Sequence, residues 1–363
     1  MLLRVLVGVL GGALVALMLA EIFFTFLLPR RVKRDPRIVR WVFSYAWRPW
    51  RRLSRTMPAQ VADTMLGLYG PFGLLLNLVL WVGVMMLGYA CLQWAGGSHL
   101  GPMRAAVDFG DDVYFSAATM TTDGPAGLSA QTAFSRMIQV IDAGTGLAVL
   151  AIVIGYLPSL YQAFSRREAT VSQLDARAGS PPSAGRLVVR STQRDGWPAL
   201  GRYLGSWETW VAELMETHLA YPVLGYFRSQ HINQNWLSAM CTVLDSCAFT
   251  IAAAPAGTVD AARFTYAIAR HAVVDLSYSY QVEPLAPAAD RLPQGDLEEL
   301  LRQLDEVGVE PATDLATMKT RLQRMRDSYE PYINALGVRL ELALPPWLAP
   351  ESPTDNWRTT EWH

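Results

Sequence analysis

The chain has 363 residues, enough for two or three domains, and 31 Lys+Arg against 32 Asp+Glu leave a formal net charge of −1. That balance offers no charge excess to drive binding to nucleic acid or to a strongly acidic partner. Only 17% of residues are charged and mean hydropathy is +0.17, high for a soluble protein. The apolar residues gather in the first half, and most acidic residues follow position 168.

The first apolar run, Leu2 to Pro29, is longer than the core of a signal peptide. It is followed by Arg30, Arg31, Lys33, Arg34, Arg37 and Arg40, which marks it as a retained membrane helix. Glu21 inside it is costly in hydrocarbon and reads as a structural polar contact. Residues 30–63 interleave Arg48, Arg51, Arg52 and Arg55 with Trp41, Trp47 and Trp50, as an interfacial cytoplasmic segment beside anionic lipid requires. A second span is expected over about 66–94 and a third over about 137–164, closed by Arg166 and Arg167. Basic flanks then place the N-terminus outside, 30–63 inside, 95–136 outside, and everything after 167 in the cytoplasm.

The external connection contains DFGDDVYFSAATMTTDG, a helical pattern opened by acidic residues and about a dozen residues long. That is too short to cross a bilayer. A short helix ending in a glycine-bearing loop between two spans predicts a re-entrant element, because irregular backbone at membrane depth must be buried in protein or line water.

Residues in and around this segment carry a resemblance. Tyr114-Phe115-Ser116, Thr119, Thr121-Thr122, Gly124, Thr132, Arg136 and Gly146 are spaced as in the pores of potassium channels, and GYLPSLYQAFSRRE resembles that family's inner-helix exit. The match covers residues 108–167, about sixty residues. It implies an all-α membrane protein with three transmembrane helices, a re-entrant pore helix and a filter loop, then an all-α cytoplasmic domain. It also implies a filter at Thr121, Thr122, Asp123, Gly124, Pro125, Ala126 and Gly127, a gating hinge at Gly144 and Gly146, and a homotetramer around one pore. In such a filter four loops aim carbonyls at a dehydrated cation, glycines supply positive φ, and the short helix turns its negative end toward the ion.

The filter departs from the family. Where TVGYG is expected the chain has Thr122-Asp123-Gly124-Pro125-Ala126. Pro125 has no N–H and a fixed φ, and Ala126 stands where a second glycine belongs, unless a shift of one residue gives Gly127 that role. The inner ion sites are expected to survive and the outer ones to be lost. Asp123 either rings the pore, favouring sodium or calcium, or hydrogen-bonds behind the filter. Asp142 is expected to pair with the pore helix or to line the cavity. No span carries an arginine ladder, so voltage sensing by a charged helix is not expected.

Beyond Arg167, residues 174–185 (LDARAGSPPSAG) read as a linker, followed by helical patterns over 197–219, 233–254, 258–275, 296–308 and 313–335. The Pro- and Trp-rich end reads as irregular or disordered. Cys91, Cys241 and Cys247 fit no zinc spacing, and the last two read as packing residues on a reduced side. His218 and His231 with Arg228 invite a metal or anion site, although packing is the simpler role. Trp207, Trp210, Tyr221, Tyr226, Phe227 and Trp236 read as core.

The resulting expectation is a homotetrameric channel conducting K⁺ or another monovalent cation in the cell membrane. Its partners are copies of itself and lipid, with no nucleic acid, no cofactor and no enzymatic chemistry, since no nucleotide motif or catalytic constellation is present. The alternative is a non-conducting pore-fold sensor or scaffold signalling through the cytoplasmic helices.

Overall fold

A computed structural model describes residues 1–27, 38–101, 108–229 and 233–348. The basic run at 30–37, His231 and the chain end from 349 lie outside these residues, as do the Arg40 and Trp41 side chains. Among the described residues every regular element is helical, and the one β-bridge joins Leu100 to Ala130. The chain divides into two compact units, Met1–Tyr161 and Gln162–His363.

The first unit contains α1 (Leu2–Ile22), prolonged by a π turn at Phe23–Leu27, then α2 (Ile38–Ser54), α3 (Ala59–Ala95), α4 (Phe109–Met120) and the greater part of α5 (Ala133–Ala178). Helices α1 and α3 approach until backbones touch. A Cβ on Gly11 would lie 2.6 Å from the Gly88 carbonyl, and one on Gly88 would lie 3.0 Å from that of Gly11. Small residues permit such approaches between apolar helices, where dispersion contacts supply the attraction. Val15, Met18, Ile22, Trp81, Met85, Tyr89, Met120, Ile138 and Val149 form the core of this unit, and Glu21 is buried with them. Helix α2 is held to α3 by its aromatic residues. Tyr69 donates to the Phe43 carbonyl, Trp50 Nε1 donates to Met65 O at 2.9 Å, and Trp50 stacks on Phe72 with centroids 5.3 Å apart.

Four helical stretches are long and apolar enough to cross a membrane: Leu2–Thr25, Gln60–Ala95, Ala133–Ala178 and Trp236–Ala253. Burial separates them. The last is 94% buried within the protein, whereas the others are 17%, 33% and 22% buried. Helix α5 exposes Val140, Leu147, Leu150, Ile154 and Leu157, and α3 exposes Leu68, Leu75 and Val79.

The second unit holds the end of α5 with α6 (Ala184–Thr192), α7 (Gly196–Ala220), α8 (Trp236–Ala253), α9 (Asp260–Ser279), α10 (Gln294–Glu306), α11 (Leu315–Arg326) and α12 (Glu330–Leu340). Helix α8 is its centre, with α6, α7, α9, α11 and α12 packed on it. Asn235 caps α8 by accepting from Ser238 N at 2.7 Å. Two sequence expectations change here. The 174–185 linker shrinks to a turn, because α5 runs to Ala178 and Ser183 caps α6. The 313–335 pattern is two helices, because Pro331, which has no N–H, opens α12 rather than continuing α11. The chain from Glu341 to Leu348 is irregular yet packed, with Trp347 1% exposed beneath Arg326.

Candidate functional site

Helix α4 starts in a reciprocal cap. Asp111 N donates to Asp108 Oδ1 and Asp108 N to Asp111 Oδ2, each at 3.0 Å. One turn further, buried Asp112 accepts from Ser98 Oγ at 2.6 Å. The segment's two ends are tied together, with Gly101 N donating to Ser129 O at 3.1 Å and Gln131 N to His99 O at 3.0 Å. Behind them Gln93 and Ser135 exchange two hydrogen bonds, of 3.1 and 2.9 Å, between the end of α3 and the start of α5. Residues 98–131 therefore leave and return at the same level.

Between those ends α4 runs alongside α5. Ser116 Oγ donates to buried Asp142 Oδ2 at 2.7 Å. One turn later Gly146 sits so close to the Met120 carbonyl that any Cβ there would overlap it. Both pairs are 26 positions apart, so the two helices run in the same direction and in step over this turn. Gly146 lies thirteen residues beyond Ala133, so the end of α4 is carried roughly 20 Å along α5. Tyr89 fixes α3 at the same depth through a 2.7 Å hydrogen bond to Thr145. Gly144 has nothing within 4 Å of a built Cβ. The two glycines expected as a hinge thus differ: Gly146 is a contact and Gly144 is open.

The loop after α4 turns on three left-handed residues, Thr122 (φ +63°), Gly124 (φ +83°) and Gly127 (φ +76°). Ala126, which stands where a second glycine belongs, is not among the positive-φ residues, and backbone strain falls elsewhere. It falls on Thr122, where a β-branched side chain in this region costs about 1–3 kcal/mol. Thr122 N donates to Thr119 O, Gly124 N to Ala118 O and Leu128 N to Pro125 O, each at 3.1 Å. Thr121 Oγ1 donates back to Ala117 O at 2.8 Å. Pro125 is half-buried, and the rest of Thr121–Gly127 is exposed on the single chain. Asp123 is exposed and, among the described residues, makes neither hydrogen bond nor ion pair. Among the described residues buried Asp112 Oδ1, Thr119 Oγ1 and Asp142 Oδ1 have no hydrogen-bond partner.

In the second unit the Arg228 guanidinium donates to the Leu340 and Glu341 carbonyls, and the His218 ring meets Arg167 and the Leu214 carbonyl. Cys241 and Cys247 are free and buried. Of the aromatic set, Trp207, Trp210, Tyr226, Phe227 and Trp236 are buried. Among the described residues no group of three or more His, Cys, Asp or Glu could hold a metal ion. Two arrangements escaped the sequence reading. Asp245, wholly buried in α8, accepts from Arg291 Nη2 at 2.7 Å and from Tyr329 Oη at 2.6 Å. Arg291 also meets Glu330 at 3.1 Å. A single carboxylate in the apolar run WLSAMCTVLDSCAFTIAA was the available signal. The other arrangement surrounds Arg167, whose charge reads as a membrane flank rather than a buried group.

Set against known proteins, the chain matches no family model, no curated protein and no solved structure.

Proposed function

We propose that this chain is one subunit of a homotetrameric, potassium-channel-type cation channel that passes monovalent cations across the cell membrane. The observation that carries the reading is the shared register of α4 and α5, through Ser116–Asp142 and Met120–Gly146. It takes the carbonyl end of a twelve-residue helix deep alongside a membrane-length helix. The chain then returns through a loop whose three left-handed residues can turn carbonyls in a common direction. Such a re-entrant element is tolerated only beside protein or water. Its exposed loop on the single chain fits a lining shared with other copies, and the helix end favours a cation. In this reading α1, α3 and α5 are the three spans, α8 is a core helix of the cytoplasmic domain, and the exposed apolar faces meet lipid or neighbouring subunits.

The glycine spacing supports a filter unlike the family's. Left-handed positions at 122, 124 and 127, with Pro125 between them, leave fewer aligned carbonyls than consecutive sites require. The same feature favours the second reading, a pore-fold sensor or scaffold that does not conduct.

Reconstitution into liposomes with K⁺, Na⁺ and Ca²⁺ gradients separates them, with Gly124→Asp as the blocked control. Flux of K⁺ or Na⁺ that the control abolishes supports the channel. A folded tetramer with no flux above the control leaves the scaffold, and a monomer removes both.

A further inference from the structure

Arg167, near the end of α5, is buried to 4% exposure inside the second unit. Its Nη1 donates to Leu224 O at 2.9 Å and to His218 Nε2 at 3.1 Å, and its Nη2 donates to Phe227 O at 2.8 Å. Glu168 supplies a counter-charge at 2.8 Å. Trp210 Nε1 donates to the Arg167 carbonyl at 3.3 Å, and the guanidinium lies 5.1 Å from the Phe164 ring. This is how unit two grips the helix.

His218 is wholly buried in that grip. Its partners fix its state. A guanidinium can only donate, so Nε2 accepts; the Leu214 carbonyl can only accept, so Nδ1 donates across 2.9 Å. The ring is therefore neutral with its proton on Nδ1. A second proton has one place to go, Nε2, where it would face an N–H of a buried cation.

We propose that His218 is a proton-operated release for α5: protonation ejects Arg167 from its carbonyl cradle and frees the last turns of the helix. Among the groups around the ring Arg167 opposes protonation, and the Leu214 carbonyl, which holds the Nδ1 proton, offsets it only in part. On α5 the charged groups are Arg167 and, beyond it, Glu168, which the guanidinium already occupies. Just past α9, Tyr280 lies near Arg167 rather than the ring, and its hydroxyl donates to Pro222 O at 2.7 Å. From α8 the Trp236 ring packs at 5.0 Å and carries no charge. On α7 Glu213 and Glu216 line a groove of about 320 Å³ together with Arg166, Arg167 and Thr217, the residue before His218. Burial, then the charge of Arg167, holds the imidazole well below its usual range. The linkage follows in sign: the neutral, gripped form is favoured above about pH 6.5. Below it each unit of pH raises the released population about tenfold, until the gripped form itself protonates.

The release is a property of unit two alone. Only its consequence for ion flow rests on the channel reading. The test is hydrogen exchange of the full chain in nanodiscs between pH 7.5 and 5, corrected for intrinsic rates. Opening of residues 162–170 and 222–228 is expected to rise about tenfold per unit below pH 6.5 in the unmodified chain. His218→Gln, which keeps an acceptor for Arg167, is expected to abolish the slope, and His271→Gln, at an exposed histidine, to keep it. A flat profile in the unmodified chain, or an equal slope in His218→Gln, overturns the proposal. Should His218→Gln fail to fold, histidine NMR of the unmodified chain reads the same point. His218 protonating together with loss of protection supports the release; protonating with protection intact overturns it. Liposome flux at both pH values is a separate arm: exchange that changes while flux stays absent keeps the release and removes the channel.

Discussion

At the scale of single residues the structure separates positions that look equivalent. Gly144 and Gly146 both suit a hinge in sequence, yet only Gly146 meets a neighbour, the Met120 carbonyl. Gly146→Ala is expected to lower stability by about 1–3 kcal/mol through overpacking. Gly144→Ala, in open space within a helix, is expected to raise it by up to about 1 kcal/mol. Thermal melts of the two variants in one detergent check the pair, and equal shifts would remove the contact as an explanation. Asp245 is the second such residue. Asp245→Ala leaves Glu330 as the carboxylate beside Arg291 and strands the Tyr329 hydroxyl, at an expected cost of about 3–5 kcal/mol in urea titrations. Glycine and aspartate identities are plain in a sequence, but what each touches is set by residues far along the chain, and periodicity does not encode that.

At the scale of elements the decisive interaction is α4 against α5. Ser116→Ala strips buried Asp142 of its hydrogen bond and is expected to cost about 1–3 kcal/mol. The double variant Ser116→Ala/Asp142→Leu is expected to cost less than the sum of its singles, because no carboxylate is then left stranded. A double-mutant cycle on melting temperature measures the coupling, and strict additivity would show the pair to be independent. The elements themselves were largely legible. Apolar length marked α1, α3 and α5, Asp108 with Asp111 marked the start of α4, and 3.6-residue periodicity marked α7 to α10. The division between α11 and α12 was marked by Pro331, which a pattern spanning 313–335 passed over. Helix α6 was hidden because its nine residues follow a Gly-Ser-Pro-Pro stretch that suggests a linker. Arginine at a helix end reads as a flank against lipid, and only the folded unit reveals Arg167 as buried.

At the scale of the molecule the apolar surface is the largest unsatisfied quantity. Helices α1, α3 and α5 leave most of their length uncovered, whereas α8, less apolar yet still long and apolar enough to cross a membrane, is enclosed. Only the first three are expected as spans from the sequence, and hydropathy is indeed lower for α8, although it measures what a helix tolerates and not what surrounds it. Four-fold association is expected to cover part of α5 and the loop 121–127. Native mass spectrometry from nanodiscs is expected to give a species of four chains, and a persistent monomer would remove the shared-lining argument. The loop was only partly legible: glycine positions were evident, but the left-handed turn at Thr122 breaks a local preference that sequence reasoning takes as a guide.

The seat at Gly146 has a consequence for how this chain can change over generations. The atom nearest to a new Cβ belongs to the backbone of Met120, so no exchange of side chain at position 120 makes room for a larger residue at 146. Most crowded pairs in a protein can drift together, one shrinking as the other grows. This one has no such partner, and a descendant that loses the glycine must move a whole helix or abandon the arrangement.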